Sequence, residues 1–147
     1  MPNWCQNNLV VTGDPQMLDT IQKIAFDFNK ILPVPAKLND EQAYEWRCNN
    51  WWTKWDAGEV EMKREDTTTL LAYFATAWGS PIPILKELAK KYNTVIMLEW
   101  EIELGNGKGI MRIDKNGTKE ISKGESENYM NLGKPENKYD WSKNGTS

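Results

Sequence analysis

The chain has 147 residues, a formal net charge of −3 and no histidine. This length suits one domain, which can bury about two-thirds of the surface that its unfolded chain exposes. The mild excess of acid argues against a long nucleic acid as partner, because such binding draws on a basic surface. The lack of histidine removes the commonest general base and a common metal ligand, so a non-catalytic protein without metal or cofactor is favoured.

No apolar run approaches the ~20 residues that a bilayer span requires. The N-terminus also lacks the basic and then apolar pattern of a secretory signal. We therefore expect a soluble cytoplasmic protein in which Cys5 and Cys48 are reduced thiols, packed as small buried hydrophobes. Two distant cysteines without a CxxC motif do not predict a zinc or iron–sulfur site.

The N-terminal segment predicts a strand followed by a helix. Residues 3–12 alternate between two faces, as a strand does, and Gly13 ends the run. Asp14 followed by Pro15 is typical of an N-cap with proline in the first helical turn. The apolar stripe that follows predicts a helix to about Phe26.

The next segment leads to a cluster of tryptophans. Pro33 and Pro35 predict an extended connection for the segment that begins near residue 28, and Asp40 then caps a short helix to about Asn49. Residues 46–57, WRCNNWWTKWDA, hold four of the eight tryptophans. Indole is large, and its N–H needs a partner when buried, so the cluster either closes the core under a loop or lies partly exposed as a ligand platform.

A hairpin and a second long helix follow. Residues 59–64 and 67–78 predict its two strands, joined by a polar turn at residues 65–66. Ser80 followed by Pro81 repeats the pattern of a cap and then a proline, so a helix is expected from there. The free N–H groups at such a helix start could receive an anion, but Ser80 acting as a simple cap is the favoured interpretation.

The last part of the predicted domain is a strand and a meander. Residues 94–104 alternate apolar side chains, ending in Leu104, with a wet face that carries glutamates. GNGKG at 105–109 and KNG at 115–117 predict tight turns, so residues 110–114 and 118–123 extend the sheet.

Two of these patterns admit a site as the alternative. Glu99, Glu101 and Glu103 share a strand face and could bind a hard cation, but a solvated face paired across the strand with Arg112 or lysines is favoured. GNGKG is glycine-rich but lacks the Gly-Lys-Ser/Thr ending and the helix of a phosphate-binding loop, so a hairpin turn is favoured.

The order β, α, β, β, α, β with two further strands predicts an α+β, ferredoxin-like fold. Its split βαβ arrangement gives an antiparallel sheet with two helices on one face, an extra short helix and a C-terminal β-meander. The domain is expected to span residues 1–124, followed by a polar tail at 125–147. Four apolar or aromatic residues could dock that tail as an arm: Tyr129, Met130, Tyr139 and Trp141.

Four motifs together carry a family resemblance: MPNWCQNNLVVTG, FNKILPVP, NNWWTKWDA and FATAWGSPIP. Over residues 1 to about 105 the chain resembles uncharacterised plasmid and phage proteins with the YubB-type ferredoxin-like domain. The resemblance implies this fold without an iron–sulfur cluster, and a mobile-element or phage origin. The chain departs from the pattern at Trp52, where a glycine is expected, and at Gly79, where a small polar or acidic residue is commoner. A tryptophan in place of glycine would fill or reshape a groove that relatives leave open.

The combination of side chains around the cluster favours a small nucleotide as ligand. Aromatic faces stack on bases, asparagine reads base edges, and arginine or lysine neutralises phosphate. The predicted ligand-binding residues are Tyr44, Arg47, Asn49, Asn50, Trp51, Trp52, Lys54, Trp55 and Trp78.

These residues lead to a functional hypothesis, a counter-defence protein that sequesters a nucleotide signal in the host cytoplasm. The alternatives are a protein inhibitor that contacts a host defence enzyme through the acidic strand face and the tail, and, less favoured, a hydrolase that uses Asp or Glu. A homo-oligomer is compatible with each of them.

Overall fold

A computed structural model describes residues 3–121 as one antiparallel sheet with α-helices packed against it. The elements are β1 (Trp4–Thr12), α1 (Pro15–Ile24), α2 (Phe28–Ile31), α3 (Asp40–Asn50), β2 (Gly58–Asp66), β3 (Thr69–Ala77), α4 (Ile82–Tyr92), β4 (Val95–Ile102), a 3-10 turn (Glu103–Gly105), β5 (Gly107–Asp114) and β6 (Gly117–Glu120). The six strands lie in the order β2-β3-β1-β4-β5-β6. The first four have the split βαβ order, and β5 and β6 form the meander, so the predicted ferredoxin-like fold is confirmed.

The main core lies between the sheet and its helices. Leu9 of β1 pairs in register with Ala72 of β3 and with Leu98 of β4, and all three are buried on the helix side. Helices α1 and α4 close this face, mainly through Leu18, Ile21, Leu85 and Leu88. Complete burial of one such side chain stabilises the fold by about 1.5–3 kcal/mol. A smaller apolar cluster forms on the opposite face of the sheet, around Val10, Leu71 and Met97.

Two predictions for the segment between β1 and α3 are corrected. α1 has the predicted Asp14 cap but ends at Ile24, because Ala25 and Phe26 adopt left-handed backbone with φ of 51° and 55°. The extended connection was also wrong at its start. Phe28 begins the one-turn helix α2, where the Asp56 carboxylate accepts its backbone N–H at 3.0 Å, a contact between segments that local sequence does not reveal.

The short helix before the tryptophans is confirmed, but its cap lies one residue earlier than predicted. Asn39 accepts the backbone N–H of Gln42 at 2.8 Å, and the Gln42 side chain accepts the backbone N–H of Asn39 at 3.1 Å. This reciprocal pair is a capping box, so Asp40 is the first helical residue.

Two of the three predicted turns shift by a few residues, whereas the turn predicted at residues 115–117 is confirmed. The hairpin between β2 and β3 turns at Thr67 and Thr68, while Asp66 still belongs to β2. Leu104 was expected on the buried face of β4 but lies in the 3-10 turn with φ of 62° and is 86% exposed. The strand ends at Ile102, so the alternation no longer controls where residue 104 points.

The predicted boundary at residue 124 and the tail at 125–147 lie outside the described residues. The last described contact is the backbone N–H of Ile121, which donates to the Ile110 carbonyl at 3.0 Å and continues the meander beyond β6. Within residues 3–121, no helix is long and apolar enough to cross a membrane.

Candidate ligand-binding site

Trp51, which follows α3, belongs to the hydrophobic core. Its side chain is only 3% exposed, and its indole N–H donates to the Leu32 carbonyl at 2.9 Å. Its ring packs edge-on against Phe28 and Trp46, with centroid separations of 5.5 and 6.1 Å. Because of these contacts, Trp51 is not accessible to a ligand, although the sequence predicted it as a ligand-binding residue.

Trp52 is the next residue, and it points away from the core. It is 53% exposed, and its φ of 64° places the backbone in the left-handed region. That conformation costs a residue with a Cβ about 1–2 kcal/mol, whereas glycine adopts it freely. The glycine expected here from the family resemblance is therefore the unstrained choice, and this chain carries its bulkiest alternative.

Trp78 repeats the same combination of exposure and left-handed backbone. It is 40% exposed with φ of 76°, and a buried polar network holds the loop that follows it. The Ser80 hydroxyl donates to Asn7 Oδ1 at 2.7 Å, and the Thr76 hydroxyl donates to the Gly79 carbonyl at 2.6 Å. Ser80 therefore anchors this loop to the sheet and does not cap α4, which corrects the sequence prediction.

A single buried threonine ties the two tryptophan loops together. Thr53 is fully buried, and its hydroxyl oxygen accepts the Ala77 backbone N–H at 3.1 Å. The residue after Trp52 is thus bonded to the residue before Trp78. This contact holds the two indoles on the rim of one cavity.

That cavity, here called the aromatic hollow, has a volume of about 410 Å³. Trp52 and Trp78 line its rim, while Trp100 and Ile102 of β4 and Met111 of β5 line its floor. The remaining lining residues are Gly79, Ser80 and Ile82. A mostly apolar cavity of a few hundred cubic ångströms is the usual size of a small-molecule site.

The floor of the aromatic hollow depends on a glycine in β5. Trp100 and Gly109 are cross-strand partners, and a Cβ on Gly109 would lie only 2.8 Å from the Trp100 indole nitrogen. Gly107 and Gly109 thus belong to a strand, where the absence of a side chain lets the indole lie across the backbone. The sequence analysis predicted GNGKG as a turn only and did not predict that Trp100 lies in the floor of a cavity. The feature of the sequence that could have shown this is a strand tryptophan opposite a glycine.

A second cavity, here called the lysine groove, adjoins the aromatic hollow and has a volume of about 520 Å³. Both cavities are lined by Trp52 and Ile82. The rest of the groove is lined by both polar and apolar residues, and its polar character comes mainly from Asn49, Asn50, Lys86, Lys90 and Lys115. Asparagines 49 and 50 were predicted as ligand-binding residues, whereas these lysines were not.

One of the two acidic residues of the groove is already in an ion pair. Asp114 binds the Arg112 guanidinium and accepts the backbone N–H of Asn116 at 2.8 Å. This backbone hydrogen bond, followed by the one from Arg112, lowers the pKa of the Asp114 carboxyl below its usual value. The pair is therefore neutral as a unit, and the lysines set the charge of the groove together with Glu87.

The other predicted ligand residues lie outside both cavities, and three of them, Tyr44, Lys54 and Trp55, form an aromatic stack on the surface with Trp78. The Lys54 ammonium lies 4.7 Å from the Trp55 ring centroid and 5.0 Å from that of Trp78. Tyr44 packs edge-on against Trp78 at 6.4 Å, and Trp4 lies 6.0 Å from Trp55. Lys54 thus covers faces of two indoles that were predicted to be available for stacking on a base.

The residues around Tyr44 and Lys54 add polar groups to this stack. The Arg47 guanidinium donates to the Lys54 carbonyl and fixes the backbone beneath it. Desolvation, followed by the closeness of Cys48, raises the pKa of the Tyr44 hydroxyl. Tyr44 therefore stays neutral at physiological pH and can both donate and accept a hydrogen bond.

The glutamates considered for a cation do not converge. Glu99 and Glu101 lie on β4 opposite Ile110 and Lys108, while Glu103 has left the strand and accepts the Trp4 backbone N–H at 2.9 Å. Among residues 3–121, no three His, Cys, Asp or Glu side chains are grouped to hold a metal ion. Both cysteines are free thiols, Cys5 fully buried and Cys48 half-buried.

Fold and cavities together define a ferredoxin-like domain with a ligand-sized hollow at one end of the sheet. Residues 50–142 match the family model described as the ferredoxin-like domain in Api92-like protein, and the chain belongs to that family. The crystal structure of a protein api92 from Yersinia pseudotuberculosis is similar, with a TM-score of 0.63 over 83% of this chain and 99% of that chain. At 9% identity this likeness shows the fold alone. No curated protein matches the chain.

Proposed function

We propose that this protein is a non-catalytic binding protein that holds a small nucleotide in the aromatic hollow. One observation carries the proposal: Trp52 and Trp78 both adopt left-handed backbone, are both exposed, and line the same cavity. Backbone strain of this kind clusters at ligand sites, because a fold tolerates it where the side chain has a task. Two strained indoles on one rim favour binding over simple packing.

The chemistry of the lining favours a nucleobase. A base stacks on an indole for about 1–3 kcal/mol, and three tryptophans border the cavity: Trp52, Trp78 and Trp100. Beside Trp52, the amide side chains of Asn49 and Asn50 line the adjoining groove and can hydrogen-bond base edges. Asn50 is also held in place, because its amide nitrogen donates to the Trp46 carbonyl at 2.9 Å.

The biological role that we propose is counter-defence on behalf of a phage or plasmid. The support is the resemblance of the four motifs to proteins of such elements. A protein of this kind would act by sequestering a nucleotide signal made by the host cell. Its effect would then scale with its abundance, because each molecule removes one ligand.

Calorimetry on the full chain tests the ligand class. A panel of cyclic and linear nucleotides is titrated into the wild type, Trp52→Gly and Trp78→Gly, since glycine also removes the backbone strain at both positions. We expect at least one nucleotide to bind, and each variant to lose about tenfold in affinity, the loss of one stacking contact. Trp55→Ala serves as the matched control, because Trp55 is exposed but lines neither cavity. Absence of binding by the wild type, or equal loss in all three variants, contradicts the proposal.

The exposed aromatic stack favours a second candidate, an inhibitor that contacts a host protein. Tyr44, Trp55 and Trp78 are each at least 40% exposed, and aromatic side chains are enriched at protein interfaces. A complex that forms without nucleotide and is lost in Trp55→Ala, but kept in Trp52→Gly, would select this candidate. The reverse pattern would select the nucleotide site.

A further inference from the structure

We infer that the lysine groove binds the phosphate arm of the ligand, so that the ligand class is a nucleotide with at least two phosphate charges. This inference rests on the proposed function, because it assumes a base in the aromatic hollow. The two cavities adjoin along Trp52 and Ile82. A base stacked on the Trp52 indole would therefore place its ribose and phosphates beside the groove.

The groove presents three cations from two separate elements. Lys86 and Lys90 are one turn apart on α4, so their ammonium groups lie on the same side of the helix. Lys115 faces them from the turn between β5 and β6. All three are exposed, and none is in an ion pair with another of the described residues.

The local charge balance sets the expected charge of the ligand. Glu87 and Asp114 are the acidic residues of the groove, and the Arg112 guanidinium neutralises Asp114. Three lysines against the one remaining carboxylate leave two positive charges. A phosphate chain with two or more negative charges complements this groove, and lysine binds phosphate as a compact point charge.

The test is a phosphate series on one base, titrated into the full chain by calorimetry. The ligands are the nucleoside and its mono-, di- and triphosphate. We expect affinity to rise by about tenfold or more from the nucleoside to the diphosphate, as for hydrogen bonds to charged groups. The double variant K86A/K90A is expected to bind all four ligands as weakly as the wild type binds the nucleoside.

A second double variant controls for net charge. K23A/K91A removes two lysines from the last turns of α1 and α4, outside both cavities, and should retain the full phosphate dependence. A phosphate series that is flat in the wild type, or that survives K86A/K90A, overturns the groove assignment and leaves base binding in place.

Inorganic tripolyphosphate separates this inference from the proposed function. Binding of tripolyphosphate that K86A/K90A abolishes and Trp52→Gly preserves would support the groove even where no base is recognised. No binding of tripolyphosphate or of any member of the series would overturn the phosphate site. Nucleoside binding that only Trp52→Gly abolishes, with no contribution from phosphate, would support the proposed function alone.

Discussion

Trp51 and Trp52 are adjacent in the chain, identical in chemistry, and opposite in environment. Trp51 has φ of −101° and turns its ring into the core, where it is 3% exposed. Trp52 has φ of 64° and turns its ring outward, where it is 53% exposed. The two indoles thus differ in the sign of φ at the end of α3, and one is buried in the core while the other is exposed on the rim of the aromatic hollow.

The comparison extends to the neighbours of each ring. Trp51 satisfies its N–H on Leu32 and packs against Phe28, so its contacts stabilise the native state. Trp52 and Trp78 lie in a backbone conformation that works against stability. The buried Trp51 therefore stabilises the fold, whereas the backbone conformation of the exposed Trp52 and Trp78 costs some of that stability.

Trp51→Ala should produce the largest effect on this contrast. Removal of a buried indole costs about 3–5 kcal/mol of the free energy of unfolding, and the Leu32 carbonyl also loses its donor. Trp52→Ala, at an exposed position, should change it by about 0.5 kcal/mol or less. Urea denaturation followed by far-UV circular dichroism measures both values. Similar losses for the two variants would contradict the division into core and site.

Gly109→Ala tests the floor of the aromatic hollow. The added Cβ would meet the Trp100 ring at 2.8 Å, so the indole must move, with an expected loss of about 1–3 kcal/mol and a change in indole fluorescence. Gly58→Ala is the matched control, a strand glycine whose Cβ would have only an ordinary contact at 3.9 Å. Equal stability of both variants would mean that Trp100 does not need the glycine.

Trp52→Gly should increase stability, in contrast to Trp51→Ala. Relief of the left-handed strain should stabilise the protein by up to about 1 kcal/mol while nucleotide binding falls. Trp55→Gly, at a residue without positive φ, should instead destabilise it by about 0.5–1 kcal/mol. Thermal melts of the two variants give the signs. A loss of stability in Trp52→Gly would show that its ring serves the core.

Labelling of the two cysteines should give the smallest effect, because it tests only the solvent access of each thiol. Burial raises the pKa of the Cys5 thiol to about 12, so at pH 8 it remains protonated and should not react with a thiol reagent in the folded protein. Cys48 is half-buried and should be labelled first. Mass spectrometry after brief labelling should show one modified thiol in the wild type and none in Cys48→Ser. Rapid double labelling would place Cys5 outside the core.

Much of the fold could be predicted from periodicity and caps. The alternation in β1 and β4 and the Asp14–Pro15 signal are local, and each was confirmed. The failures lie where tertiary contacts override local preference. Phe28 begins a helix that Asp27 caps locally, and Asp56, distant in sequence, adds a further bond to its N–H. Ser80 leaves its capping role because Asn7 is within reach.

Less of the candidate site could be predicted. Composition predicted tryptophans and asparagines as ligand-binding residues, but no pattern separates Trp51 from Trp52 without the backbone angle. Lys86 and Lys90 lie on the exposed side of α4, and only the fold brings Lys115 close to them. Trp100 was assigned to the core because its strand alternates, although it also forms the floor of a cavity.

The position of the cavities at the end of the sheet has an evolutionary consequence. Their rim comes from loops and exposed helical side chains, while β4 and β5 supply the floor of the aromatic hollow and the buried leucines of the core line neither cavity. Substitutions on the rim can therefore accumulate without refolding the scaffold. Related proteins built on this framework are expected to share their backbone and to diverge in the side chains that line these cavities.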